Sequence, residues 1–302
     1  MRHTISAACL LIGITTGAQA AVLFQTQAMP NVSPFYNDAF WSLDGKAPGV
    51  VPTSGNTYVN DNPANYLTRL SGPFLGDSLT VTSGASVMWK GSTQTVDLIF
   101  NGWTGTFTNA QGAPSLNGTI TGTGAMGFTV ATGTDNRTMR LNSQLLAGNT
   151  FTDITVRGST SLTDFLSVTN GSNVFTGTWD VDTITLNGTA AGSLGASSFN
   201  IGSTGIMNFD YDFANTSGTF EILSGGTLLL DQDLTFGSAK FGTTDVTAGT
   251  YTMAQLDSTF GIASTYFAAG SGASNTITVV PEPSSFALLG LGLAGLMVRR
   301  RR

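Results

Sequence analysis

The chain reads as an all-β protein built as a single β-solenoid of stacked coils, with a β-sandwich as the alternative. Three observations predict this. Four segments alternate apolar and polar residues at period two around a small turn: Leu79–Trp89, Leu166–Val174 (LSVTNGSNV), Phe199–Phe209 (FNIGSTGIMNF) and Phe220–Leu230 (FEILSGGTLLL). Such alternation turns one face of each strand inward, and Ser-Gly or Asn-Gly supplies the positive φ of a tight turn. Further Asn-Gly pairs stand at Asn101-Gly102, Asn117-Gly118 and Asn187-Gly188. The segments recur irregularly, at a spacing of roughly 20 residues in the C-terminal half, as coils of a solenoid would. Finally, only 10% of the 302 residues are charged, against about 25% in a typical soluble protein. With 38 glycines and 10% aromatics, that composition fits short strands between Gly, Asn and Ser turns rather than a disordered chain.

Residues 1–20 read as a secretory signal peptide. Arg2 precedes an apolar run from Ile5 to Ile14, and Ala18-Gln19-Ala20 supplies a small-x-small pattern that places cleavage before Ala21. Ser6-Ala7-Ala8-Cys9 faintly resembles a lipobox, but the apolar run continues past Cys9, where a lipid-bearing cysteine should end it. His3 and Cys9 are the single histidine and single cysteine, and both leave with the signal. The mature body then has no thiol and no imidazole, which excludes disulfides and Cys/His zinc sites.

Residues 21–54 are expected to form an N-terminal cap, 55–248 the solenoid and 249–278 a C-terminal cap and linker. The one helix suggested in the body is the short run Met253–Leu256. Without the two ends the body keeps seven basic and 17 acidic residues, a net charge of −10. A surface this acidic repels phosphate backbones and disfavours nucleic acid, leaving divalent cations and neutral polymers as partners. No internal stretch approaches the roughly 18 apolar residues of a membrane span.

Candidate chemistry is sparse. Gly76-Asp77-Ser78-Leu79 spells the motif of the GDSL esterases, yet no histidine remains to activate Ser78, which also falls in a strand pattern. Asp180/Asp182, Asp210/Asp212 and Asp231/Asp233 are each two apart and so share a strand face. They suit a solvated surface, a ladder binding Ca²⁺ through oxygen ligands, or the two carboxyls of a polysaccharide-degrading enzyme. Lyase chemistry wants a basic proton acceptor, and the body's seven bases are scattered singly: Lys46, Arg69, Lys90, Arg137, Arg140, Arg157 and Lys240. Gly122-Thr123-Gly124 has no following lysine or helix to cradle phosphate. Thr104/Thr106 and Thr183/Thr185 could begin Thr rows for a regular surface such as ice, although the irregular spacing opposes a flat ladder. Trp41, Trp89, Trp103 and Trp179 could stack on sugars, but large residues in alternating strands are more often core. No cofactor is expected apart from Ca²⁺, and no catalytic residues are assigned.

Residues 279–302 carry a sorting signal. Pro281-Glu282-Pro283 precedes an apolar run from Phe286 to Val298, and Arg299, Arg300, Arg301 and Arg302 close the chain. The run is short for a free-standing transmembrane helix, but Ser284 and Ser285 extend it and snorkelling arginines help it hold. The arginines should stay cytoplasmic. This order over residues 279–302 resembles the PEP-CTERM sorting signal. That resemblance implies recognition by an exosortase, transient residence in the inner membrane, and export to the surface or medium of a Gram-negative, exopolysaccharide-forming bacterium. The body resembles the right-handed parallel β-helices of autotransporter passengers, through Gly55-Asn56-Thr57-Tyr58-Val59, Thr68-Arg69-Leu70 and Phe74–Thr80 (FLGDSLT) at its start. Ala248-Gly249-Thr250-Tyr251-Thr252, with Gln255-Leu256, resembles the segment that closes them. The expectation is a non-enzymatic structural or adhesive protein contacting exopolysaccharide or itself. A polysaccharide-degrading enzyme and an ice-type surface binder are the alternatives.

Overall fold

The computed structural model describes residues 164–280 continuously, and before them 21–25, 41–42, 53–60, 67–68, 74–82, 87–90, 93–103, 106–111, 113–130, 138–146, 148 and 150–158. Residues 1–20 and 281–302, with the expected signal and the sorting tail, lie outside the described residues. No helix among the described residues is long and apolar enough to cross a membrane.

The body is a β-solenoid, as the alternation predicts, and not a sandwich. Among the described residues one sheet holds seven strands, one from each of seven successive turns: Gln94–Thr95, Ser115–Asn117, Thr138–Leu141, Phe165–Val168, Thr185–Gly188, Ile206–Phe209 and Thr227–Leu229. Every pairing in it is parallel. The other strands described, which lie before, between and after these seven in sequence, form a larger sheet, which packs its inward side chains against those of the first.

Parallel, in-register stacking puts each inward residue over its counterpart one turn on. In the seven-stranded sheet Met139, Leu166, Leu186, Met207 and Leu228 make one such column, all fully buried. In the larger sheet Ile154, Trp179, Phe199 and Phe220 make another. The sequence steps from Trp179 to Phe199 and from Phe199 to Phe220 are almost equal, so the C-terminal coils are nearly uniform. Middle coils are longer, since Leu116 stacks on Leu141 and Met126 on Ile154, whereas nearer the N-terminus Tyr58 stacks on Leu79 and Leu79 on Leu98 at steps like those of the C-terminal coils. Within the core Phe199 meets Phe209 and Phe213 edge-on, each at 5.2 Å between ring centres, and lies near Phe220 and Phe236.

Corners decide where the chain leaves one sheet for the other. Phe199–Phe209 and Phe220–Leu230 each contain such a corner, and in the second Gly225 occupies it at φ +98. A Cβ there would press on the Ser203 carbonyl of the coil below, so glycine serves both the backbone and the stacking. The turn between Thr178–Asp182 and Thr185–Gly188 contains no glycine. Thr183 takes the left-handed conformation instead, φ 56, with its hydroxyl donating to the Gly158 carbonyl at 3.1 Å. Of the three Asn-Gly pairs outside the four alternating segments, Asn117-Gly118 makes a corner, whereas Asn101-Gly102 and Asn187-Gly188 lie inside strands. Gly188 is needed there because Leu194 fills the space a side chain would take.

Both ends of the stack are closed by antiparallel strands. Trp41–Ser42 pairs antiparallel with Val22–Gln25, which itself lies parallel to Thr57–Asn60. At the other end Thr244–Val246 folds back on Leu234–Phe241. Helix α1 (Met253–Phe260) exceeds the expected Met253–Leu256 by about a turn. Its capping box pairs Thr252 with Gln255, and Gly261 ends it in the left-handed conformation. The strand Thr276–Val279 then returns to the larger sheet, between Leu234–Phe236 and Gly249–Thr252. Within residues 249–278, Gly249–Thr252 and the strand that begins at Thr276 thus belong to the larger sheet.

Replacing Phe199 by Ala removes a ring that touches aromatics on neighbouring coils. It should lower the free energy of unfolding by about 3–5 kcal/mol, read as a reduced midpoint in urea.

Candidate polymer-binding face and sorting junction

The three carboxylate pairs fall at two kinds of place. Asp180 and Asp182 stand on the outward side of the strand Thr178–Asp182 in the larger sheet. Asp210/Asp212 and Asp231/Asp233 flank the corners that lead from the seven-stranded sheet back to the larger one, on successive coils. Structural bonds between coils engage most of these carboxylates. The Asp212 carboxylate accepts from the backbone N–H of Asp233 at 3.0 Å. Asp233 repeats this one turn on, accepting from the Thr276 N–H at 2.8 Å and its hydroxyl at 2.9 Å. Asp97 does the same for Thr119 at 2.9 Å. An acid at this corner supplies the acceptor that a backbone N–H needs where the sheet ladder begins. Asp180 accepts from the Asn200 amide at 3.1 Å and Asp182 from the Thr204 hydroxyl at 3.1 Å. Asp210 accepts from Asn208 at 2.9 Å and Asn187 at 3.4 Å. No group of three or more His, Cys, Asp or Glu side chains placed to hold a metal occurs among the described residues.

Burial raises the Asp180 carboxyl above its ordinary range, helped by Asp153 and opposed by the Asn200 bond and by Arg157. Burial likewise raises Asp231, whose Oδ1 has no hydrogen-bond partner and which feels the charge of Asp210. Glu221 and Lys240 pair at 2.9 Å on the larger sheet, and that bond raises the lysine.

Other candidates resolve simply. Ser78 lies in a regular parallel strand between Thr57 and Asp97. Trp179 is buried, its indole N–H donating to the Leu194 carbonyl at 3.2 Å, so it belongs to the core. Thr185 is buried and Thr183 forms a corner, so these two do not make an exposed row. Thr104 and the side chains of Thr106, Trp41, Trp89 and Trp103 lie outside the described residues, as do Ala18, Ala20, Pro281, Glu282, Pro283 and Arg299 to Arg302. Ala21 is described, and its N–H donates to the Asn56 side chain at 3.0 Å.

A feature that sequence reasoning missed is the outer face of the seven-stranded sheet. Two outward columns run across its coils there. Ser115, Arg140, Ser167, Asn187 and Asn208 stand in register in one. Asn117, Asn142, Thr169 and Thr189, at or just beyond the strand ends, form the other. Side chains bond along this second column: Thr169 donates to Asn142 at 2.9 Å, Asn142 to Asn117 at 3.1 Å and Asn117 to Thr95 at 3.4 Å. Between the columns lies an open groove of about 460 Å³, lined by Ser115, Asn117, Arg140, Asn142, Ser167, Thr169 and Thr189. The lining contains no carboxylate. Thr, Ser and Asn at outward positions are visible in the sequence, but coils of unequal length hide which of them share a column.

The junction with the tail is tight. Val279 is buried and paired on both sides, with Phe236 and Gly249, and the Val280 N–H donates to the Phe236 carbonyl at 2.9 Å. Residues 279–302 match the family of the PEP-CTERM protein-sorting motif. The match therefore begins within the last strand of the folded body. It implies an exported protein whose tail is membrane-anchored until an exosortase-type system processes it. No curated protein and no solved structure matches the chain.

Asp233→Ala should release the Thr276 N–H, costing about 1 kcal/mol and speeding amide exchange across Thr276–Val280 relative to the rest of the body. For Asp231 the sign is opposite to that of a salt-bridged acid. A carboxyl raised in the folded state destabilises the fold at pH above its folded pKa, and the cost fades as pH falls to the unfolded value. Asp231→Asn should therefore match or exceed the wild type in unfolding temperature at neutral pH. The difference should close on mild acidification.

Proposed function

We propose that this protein is a non-catalytic structural or adhesive component, carried by the exosortase route to the cell surface or extracellular matrix of a Gram-negative bacterium. There its polar solenoid face makes weak, repeated contacts with exopolysaccharide or with further copies of itself, gaining strength by multivalency. The observation that carries this reading is the grooved outer face of the seven-stranded sheet. Its columns of hydroxyls and amides repeat from coil to coil, at about the 4.8 Å strand spacing. A polymer laid along the stack would meet equivalent donors and acceptors at each step.

Further support comes from the acids. Asp212 and Asp233 each hold a backbone N–H of a neighbouring coil, and Asp180, Asp182 and Asp210 hold side chains. Groups so engaged are poorly free to act as proton carriers or as a cation cage, so the proposal assigns no cofactor. Closure of the stack by antiparallel strands disfavours end-to-end growth, which points any self-contact to the side faces.

One observation favours a hydrolase instead. Asp231 has a raised carboxyl and an unpartnered buried oxygen beside the charge of Asp210, the asymmetry that glycoside hydrolysis uses. Turnover of any polysaccharide in a broad screen, lost in Asp231→Asn and Asp210→Asn, would replace the structural reading. Under that reading, no turnover is expected, and neither Ca²⁺ nor a chelator should shift the unfolding temperature.

The route is tested by deleting Pro281 to Arg302 and fractionating cells. The truncated protein should lose its surface or matrix location while still folding, because its cut follows the last paired residue. An unchanged distribution would remove the sorting step from the proposal.

A further inference from the structure

We infer that the groove on the seven-stranded sheet is a binding site for acidic polysaccharide, and that Arg140 takes the polymer's carboxylate. The inference rests on the glycan-contact reading above and narrows it to one site and one chemical class.

The body carries a net charge of −10, so a general attraction for anions is absent. The groove departs from that background. Its lining holds one cation, Arg140, and otherwise only Ser, Thr and Asn. Arg140 is exposed on the strand Thr138–Leu141, between Ser115 and Ser167 of the neighbouring coils. Among the described residues none pairs with its guanidinium. Lys240, by contrast, is engaged by Glu221 at 2.9 Å. A guanidinium with no carboxylate partner among the described residues, set in a groove of neutral donors and acceptors, is complementary to an anion carried on a hydroxyl-rich chain. Its planar fork suits a carboxylate in two-point contact.

The amide column supplies the hydroxyl-reading part. Along it each hydrogen bond runs toward the N-terminal coils, from Thr169 to Asn142, then Asn117, then Thr95. Asn142 and Asn117 each spend one amide N–H on the preceding coil, and an amide has a second to offer a ligand. Phe165 adds an apolar contact. It sits two residues before Ser167 on the same outward side of the strand Phe165–Val168 and is 40% exposed, unusual for a phenylalanine. An exposed ring beside a groove of donors can cover the C–H face of a pyranose. Arg140 would thus read charge, the Asn and Thr column hydroxyls, and Phe165 the ring face.

The test is calorimetric titration of the full-length protein in mild detergent with polygalacturonate and, separately, with dextran. Polygalacturonate should bind at low salt and dextran at least about tenfold more weakly. Arg140→Gln should weaken polygalacturonate about tenfold and leave dextran unchanged, whereas Phe165→Ala should weaken both. Arg157→Gln, which removes a cation from the other sheet, should change neither. Circular dichroism should be the same for all variants, since each side chain is exposed. If dextran binds as tightly as polygalacturonate and Arg140→Gln has no effect, the assignment of the anion is overturned while the glycan reading stands. Equal losses in Arg140→Gln and Arg157→Gln would mean diffuse attraction and would also overturn it. Binding of neither polymer would sink the glycan reading itself, and this inference with it.

Discussion

Parallel, in-register stacking is the constraint on which the rest of this structure depends. Each coil lies on the next with its residues in register, so whatever the sequence puts at one position meets its counterpart about 4.8 Å away. On the inside this is favourable. Columns such as Met139, Leu166, Leu186, Met207 and Leu228 bury continuously, and no coil could bury its own apolar row alone. On the outside the same rule is a hazard in a chain with 17 acids in its body, because like charges in register repel.

The register shows how that hazard is met. Along the outer row of the larger sheet Asp180 faces Asn200, Asn200 faces Glu221, and Glu221 faces Lys240. An amide or a cation follows each acid. At the corners the solution differs, since Asp212 and Asp233 turn their oxygens to backbone N–H groups of the next coil. Asp210 and Asp231 are the place where neither device is complete, and there a carboxyl is pushed upward. Most of these acids thus take part in contacts between coils. The outer face of the seven-stranded sheet departs in the other direction, with a carboxylate-free groove centred on a cation.

Much of the architecture is legible because the sequence repeats its inward pattern. Phe199–Phe209 and Phe220–Leu230 can be read as strand, corner and strand, since glycines mark both corners. The equivalent unit from Trp179 to Leu186 escapes such a reading, for its corner uses Thr183 in a conformation that glycine or asparagine usually adopts. Leu166–Val174 contains one strand and the loop after it, because a Ser/Asn/Gly cluster marks a turn without saying whether a strand follows. The groove is illegible for a different reason. Ser115, Arg140 and Ser167 belong to three coils of unequal length, and only the folded register brings them side by side. Loops inserted in those coils remove the period by which a column could be read.

The junction between body and tail turns the same constraint on the sorting signal. The strand Thr276–Val279 has neighbours on both sides, although helix α1 and the loop after it separate it from the strand Gly249–Thr252 that it pairs with. It closes the larger sheet only when the chain returns to it, held at its start by Asp233 and at its end by the Val280 N–H. Proline at position 281 has no N–H with which to continue the ladder. Scaffold and signal therefore overlap at Val279 and Val280. A cut on the C-terminal side of Val280 leaves every backbone bond described for the stack in place. A cut a few residues earlier would remove a doubly paired strand and expose the Leu234 and Phe236 edge that it covers. Separation from the tail at or beyond Pro281 thus leaves the described stack whole.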